Sequence, residues 1–394
     1  MQHTNLDSPV RMNWPAKPNE IPKEVFIRKD VFRAEMDRIF HGPQWHPLAH
    51  RSEVPRPGDF KTTAIGQVPA LIVHGDDGQI RVFANSCPHR GTLLKTAPRG
   101  KTKAIECPYH RWAFNNRGAL MGAPGIQQFP ESFRKDQNGL HIIRSQQFEG
   151  LVFATLDPET PDILEYLGDT RGYIARAFGG DGNLRLLGYQ KVSFTTNWKE
   201  YGDNEGYHAP LLHSAFRLLK WQGGAGLQFM TPNAHKVIAA ELAHAPDTGF
   251  LHDHTLIEMH DKSKTPESII VSLFPVSLIL RHLDVITVRY ALPISQDETE
   301  VHYTYFARDG DDPALLAHRV RQASNLLGPS GLISLEDGAV FNRLHLGARA
   351  GGMAVFQKGV REDMPLPTEL QQNDEAGNLV RWEHYRKTMG FERA

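Results

Sequence analysis

The sequence predicts an α+β chain of two domains, one all-β and one built on an antiparallel sheet, and three observations carry that expectation. Short β-type runs broken by turn residues crowd residues 59–156. Four further β runs between 269 and 307 follow one another without an intervening helix. Two helical segments come after them, the order expected when helices pack on an antiparallel sheet rather than alternate with parallel strands. With 394 residues, 40% of them hydrophobic, the chain can bury two ordinary cores.

Residues 1–43 are too few for a core of their own and are assigned to the second domain. In residues 44–156 the runs 69–74 and 79–83 flank Asp76-Asp77-Gly78, a hairpin with glycine at the turn. The run 150–156 supplies another strand, and the whole span is assigned to the all-β domain. The remainder, 157–394, starts with a helical stretch at 162–178 and a strand at 184–194. Its runs 269–274, 278–283, 285–292 and 300–307 make the antiparallel sheet. Helices are expected at 313–327 and 332–346, parted by Gly328-Pro329. Residues 349–375, rich in glycine, proline and charge, read as loop.

The chain has only two cysteines, and each has a histidine just beyond it: Cys87-Pro88-His89 and Cys107-Pro108-Tyr109-His110. Two thiolates and two imidazoles are the ligand set of a Rieske 2Fe-2S cluster, whose irons take the sulfurs and the nitrogens separately. The same donors could hold a structural zinc. Classical zinc fingers, however, group cysteines together and histidines together, whereas each loop here mixes the two. The words Cys87-Pro88-His89-Arg90-Gly91 and Cys107-Pro108-Tyr109-His110-Arg111-Trp112 closely resemble the cluster loops of Rieske proteins.

Composition narrows the class. A formal net charge of −1 gives no basic excess for nucleic acid or an anionic membrane, and no apolar run reaches the length of a membrane span. The polar start, Met1 to Arg11, lacks a signal peptide's apolar centre. With both cysteines assigned to metal, none is left for a disulfide, which fits the reducing cytoplasm. It also speaks against the Rieske subunit of respiratory complexes, whose pattern adds a disulfide-forming pair and a membrane anchor.

A second constellation runs from Asn197-Trp198-Lys199 to His208 and His213, with several carboxylates. On a regular helix five residues turn about 500°, which leaves the two imidazoles roughly 140° apart and unable to share an ion. Pro210 lies between them and removes a backbone donor, so an underwound turn there could bring both onto one metal. A 2-His-1-carboxylate Fe(II) site needs one acid more and keeps open positions for O2 and substrate. Asp337 in the apolar stretch 332–340 is the candidate, with its neighbour Glu336 as competitor.

Over nearly its whole length the chain resembles the large catalytic (α) subunit of Rieske non-haem iron aromatic ring-hydroxylating oxygenases. That resemblance implies a Rieske domain followed by a helix-grip catalytic domain. It implies Cys87, His89, Cys107 and His110 as cluster ligands, and His208, His213 and Asp337 as ligands of a mononuclear Fe(II) that uses O2. A carboxylate three residues before the first iron histidine, here Glu205, would bridge to a cluster histidine of the next subunit in a homotrimer, with or without a small β subunit. Two departures bear on that bridge: glutamate replaces the commoner aspartate, and the interval from Asn197 to His208 is shorter than usual. Asp203 is the alternative.

Gly223-Gly224-Ala225-Gly226 lacks the strand-turn-helix setting of a dinucleotide fingerprint. Electrons are therefore expected from a separate NAD(P)H-dependent reductase, with or without a ferredoxin. The stretch 325–340 and the tail 385–390 resemble oxygenases for aromatic carboxylates of the terephthalate and salicylate type. Such a substrate calls for a cation, and Arg281 and Arg381 are the candidates. The competing readings are a quaternary-ammonium monooxygenase or demethylase, with Phe216, Trp221 and Phe274 as an aromatic cage, and a Rieske electron carrier without oxygenase chemistry.

Overall fold

A computed structural model of the chain describes residues 10–204, 226–242, 248–264, 267–361, 366 and 370–394. The chain divides into two compact units, His41–Ile163, and Met1–Phe40 together with Leu164–Ala394. Among the described residues no helix is long and apolar enough to cross a membrane.

The first unit is built on a seven-stranded antiparallel sheet, in the order His46–His50, Leu151–Thr155, Ile142–Phe148, Ile80–Ala84, Val68–His74, Asp59–Ile65 and Arg99–Lys101. The hairpin read from sequence is present. It closes at Gly78, whose φ of 79° is easy only for glycine, and Gly75 N–H donates to Gln79 O at 2.8 Å. Both faces of this hairpin are covered, so its strands show no polar alternation. Leu71, Val73 and Phe83 pack on one side with Cys87, Cys107, Ile105 and Phe114. Ala70, Ile72 and Val82 pack on the other with Leu48 and Val152. A three-stranded sheet of Ile105–Glu106, Ala113–Phe114 and Leu120–Gly122 carries the second cysteine loop.

The second unit holds another seven-stranded antiparallel sheet, ordered Leu184–Phe194, Glu298–Arg308, Val285–Ser295, Ser277–His282, Glu267–Leu273, Lys236–Glu241 and Gly226–Met230. Alternation divides its faces. Leu278, Leu280, Val285, Ala291, Val301, Tyr303 and Tyr305 join one core with Leu326, Leu327, Ile333 and Phe341. That core includes Phe341 of the helix Ser334–Ala348, while the helix Thr170–Phe178 packs on strands 236–241, 267–273 and 277–282.

Several expected elements take a different form. The helix expected at 162–178 is two, Ile163–Leu167 and Thr170–Phe178, broken at Gly168 with φ 51°. The one expected at 313–327 is an α-helix, Pro313–Gln322, that widens into a π turn, Ala323–Leu327. Part of the loop expected at 349–375 is a strand, Met353–Val355, paired with Glu20–Pro22. Among the elements the sequence reading did not name are the strands Gly226–Met230 and Lys236–Glu241 and the helices Lys29–Glu35 and Gly377–Met389. From the N-terminal segment, Val25, Val31, Phe32 and Phe40 share a core with Trp198 and Trp382 of the second unit.

Candidate metal centres

The two cysteine loops are built alike. Cys87 N–H donates to Thr92 O at 2.9 Å and Gly91 N–H returns to Cys87 O at 2.9 Å; Cys107 N–H donates to Trp112 O at 2.8 Å and Arg111 N–H to Cys107 O at 3.1 Å. Each loop then turns through a left-handed residue at the same place, Gly91 with φ 75° and Arg111 with φ 58°. Both thiols are buried, and they are close enough to interact with each other. Burial pushes the Cys87 thiol up. Burial also pushes Cys107 up, but the N–H groups of Tyr109 and His110, with Cys87 and Thr92, outweigh it and leave its pKa lowered.

The two imidazoles sit side by side. His89 and His110 meet edge to face with ring centroids 4.8 Å apart, and His89 stacks on buried Trp112 at 4.7 Å. Desolvation, then the charges of His89 and Arg90, lower the His110 pKa and favour the neutral ring that ligates metal. His110 Nδ1 is sealed from water and has no hydrogen-bond partner. An orphaned buried nitrogen beside two facing thiols and a second imidazole fits a ligand set whose metal supplies the missing partner.

Of the second constellation, Glu205, His208 and His213 lie outside the described residues, as do Phe216 and Trp221. Its framework is described. Asn197 caps the helix Trp198–Gly202 in a capping box with Glu200. Lys199 Nζ donates to Glu35 Oε1 and to Asn197 Oδ1, each at 2.6 Å, and Trp198 Nε1 donates to Glu35 Oε2 at 2.8 Å. Asn-Trp-Lys is thus a clamp on the N-terminal segment.

Asp337 is buried in the first turn of the helix Ser334–Ala348, whereas Glu336 is half-buried. Asn204 Nδ2 donates to Asp337 Oδ1 at 3.1 Å, joining this acid to the residue before Glu205. A second tie lies about two turns further along the same helix. His345 Nδ1 donates to Glu200 Oε2 and its Nε2 to Asp297 Oδ1, both at 2.9 Å. The Glu200 bond, then that of Asp297, raises the His345 pKa. The start of the histidine segment and the helix bearing Asp337 are therefore locked together. Asn204 and His345 were not identified from sequence.

Asp203, the alternative bridging acid, has a sealed Oδ1, and burial pushes its pKa up to about 7 against the opposing charge of Lys236. It borders a cavity of about 560 Å³ that Glu200, Asn204, Val340 and Arg343 also line.

The two arginines expected to bind a carboxylate both have partners within the chain. Arg281 pairs with Glu267 at 3.1 Å, on the opposite sheet face from Leu280 and hence from the Asp337 helix. Arg381 donates to Gly202 O, Ser272 Oγ, Leu273 O and Pro275 O, holding backbone together. Phe274, a proposed cage wall, is core: its ring meets His384 at 4.8 Å and Arg381 at 5.8 Å.

Comparison with known proteins agrees with this layout. Residues 44–135 match the Rieske [2Fe-2S] domain, and residues 182–378 match the ring hydroxylating alpha subunit (catalytic domain). The chain is 30% identical to the anthranilate 1,2-dioxygenase large subunit of Burkholderia cepacia, over 95% of this chain and 94% of that one. It is 31% identical to a terephthalate 1,2-dioxygenase terminal oxygenase α subunit of Comamonas sp, over 97% and 98%. Two solved structures at 22% identity share the fold. One is naphthalene 1,2-dioxygenase from Rhodococcus sp. (TM-score 0.80, 94% of each chain). The other is a quaternary ammonium Rieske monooxygenase (TM-score 0.78, 97% and 100%). Family members are terminal oxygenases that work in multimers with reductase or ferredoxin partners. The chain belongs to the Rieske ring-hydroxylating oxygenases as a catalytic α subunit, an oxidoreductase that uses a 2Fe-2S cluster, mononuclear iron and O2.

Proposed function

We propose that this chain is the terminal oxygenase for an aromatic carboxylate, hydroxylating it with O2 and electrons from an NAD(P)H-dependent reductase, directly or through a ferredoxin. The observation that carries this reading is similarity along nearly the whole chain to subunits named for oxygenation of anthranilate and terephthalate. The electron-carrier alternative gives no account of a matching catalytic domain.

Cys87, Cys107, His89 and His110 would hold the cluster, thiolates on one iron and imidazoles on the other, and His208, His213 and Asp337 would hold the mononuclear iron. When bound, the cluster supplies single electrons and the mononuclear iron activates O2. Trp112 orients His89 by stacking, and Asn204 sets the Asp337 carboxylate by occupying one of its oxygens. Glu205, or failing it Asp203, links the two sites between neighbouring subunits of a cytoplasmic homotrimer, alone or with a small β subunit.

The test is O2 uptake with a surrogate reductase across aromatic acids and betaines, with product identification and iron analysis. Product from an aromatic acid and iron for both centres is the expected result. Product from betaines alone, or iron for the cluster only, refutes the reading. Glu205→Gln should leave both metals bound yet block turnover; full turnover in that variant would move the bridge to Asp203.

A further inference from the structure

Indole and phenol are the side chains that give up a single electron most readily, and half of the chain's six tryptophans gather round one tyrosine. Trp382, Trp14 and Trp198 have ring centroids 5.4, 6.1 and 6.3 Å from that of Tyr385, which is 2% exposed. One fully buried carboxylate serves two of these rings. Glu35 Oε2 accepts from Trp198 Nε1 at 2.8 Å, Glu35 Oε1 accepts from the Tyr385 hydroxyl, and Lys199 Nζ supplies the countercharge at 2.6 Å. Burial, then the Glu35 charge, raises the Tyr385 pKa, so the phenol keeps its proton at rest. A core built for packing alone needs no buried ion pair among its aromatic rings.

This aromatic group has one end toward the candidate iron site and one toward solvent. Trp198 and Tyr201 lie three apart on the helix Trp198–Gly202 and so are neighbours on its surface. The Tyr201 ring meets Phe341 at 5.3 Å, and Phe341 stands one turn beyond Asp337 on the same face of its helix. Asp203 shares a small space with Trp198, Trp382 and Tyr385, and the next residue, Asn204, bonds Asp337. At the other end the Trp382 ring stands edge to face with Phe26 at 5.5 Å. Phe26 lines the cavity of about 560 Å³, whose wall includes the exposed Leu344 and Val355.

We propose that Trp198, Tyr385 and Trp382 form a protective electron relay, which discharges an oxidising equivalent left at the centre of Asp337 when no substrate is present. Trp198 gives one electron toward that centre across Tyr201 and Phe341. Tyr385 refills Trp198 and passes its phenol proton to Glu35 Oε1. Trp382 then carries an electron from a small reductant in the cavity back to Tyr385, and Glu35 returns the proton. Two such rounds, with two protons from solvent, reduce one hydrogen peroxide to two waters, while a reductant of the ascorbate class loses two electrons and two protons. The inference rests on Asp337 holding the mononuclear iron.

The experiment treats substrate-free holoenzyme with hydrogen peroxide, with and without ascorbate, and reads freeze-quench EPR, peptide mass spectrometry and the rate of iron loss. Wild type should show tyrosyl and tryptophan radicals, with oxidation mapped to Trp198, Tyr385 and Trp382 and suppressed by ascorbate. Tyr385→Phe, which keeps the ring, should abolish the tyrosyl signal, leave the oxidation on Trp198 and speed iron loss severalfold. Should that variant fail to fold, Trp382→Phe decides: the tyrosyl signal should persist, and ascorbate should clear it severalfold more slowly. Absence of oxidation at these residues in the wild type, or wild-type behaviour of the deciding variant, overturns the proposal. Asp337→Ala separates the premise from the inference. Mononuclear iron retained in that variant refutes the Asp337 assignment, whereas radicals that persist once that iron is gone refute the relay.

Discussion

Replacing His345 by leucine removes the tie between the Asp337 helix and the helix that leads into the histidine segment. His345 is fully buried and hydrogen-bonds carboxylates through both ring nitrogens, so it carries a proton on each. A charge-assisted bond contributes about 1.5–3 kcal/mol, and removing one partner of a buried pair costs about 3–5 kcal/mol. Glu200 Oε2 keeps two other donors, Thr196 Oγ1 at 2.9 Å and Asn197 N–H at 2.8 Å, which places the loss near the low end. Asp297, with its side chain 41% exposed, rehydrates and adds little. The expected destabilisation is about 3 kcal/mol at pH 6. Because the folded pKa of His345 is raised, its contribution is complete below the unfolded value and fades as pH climbs through the folded one. Urea unfolding of both proteins at pH 6 and pH 9 should therefore give a penalty that shrinks to about 1 kcal/mol at the higher pH. An equal penalty at both pH values would refute the charged bridge.

Three more outcomes are expected. Asp203 is raised to about 7 from 3.8, so folding binds its proton more tightly and stability declines as pH rises from about 4 to 7. Asp203→Asn should remove up to about 4 kcal/mol of that decline, and a variant no more stable than wild type at pH 8 in urea unfolding argues against it. His235 is lowered to about 3 by burial, then by the Arg381 charge; its Nδ1 accepts from Phe274 N–H and its Nε2 donates to Tyr166 O. Stability it shares with the neutral ring is lost as pH falls below the unfolded value, so nitrogen NMR should find the ring uncharged at pH 5, and a normal titration there contradicts it. Lys199→Met strands Glu35 in the interior at a cost of about 3–5 kcal/mol, and adding Glu35→Gln should recover part of it. Strictly additive losses in the double variant would mean the pair is not coupled.

Legibility from sequence followed the span of each interaction. The cysteine loops could be read because every ligand lies within a few residues of its partner in the loop, and Trp112, two residues past His110, could have been read as the surface His89 stacks on. Asn204 and His345 could not, since their partners Asp337 and Glu200 are 133 and 145 residues away. Among the elements, Leu184–Phe194 emerges with its ends where the β-type run ends, but Lys236–Glu241, buried along most of its length and rich in alanine, has no period of two to reveal it. The helix Gly377–Met389 hides for the converse reason: Asn378, Arg381 and Tyr385 are among its buried residues, so its inner face is not apolar. The arginines show the same limit at the site. Leu278, Ile279 and Leu280 are apolar on both faces, so the strand around Arg281 gives no sign of which face its charge enters. Only pairing resolves it, because register sets Arg289 beside Tyr303, while the alternation of Ser277–His282 turns Arg281 toward Glu267. Which face of a sheet a strand's cation occupies therefore depends on register, which residue type alone does not encode.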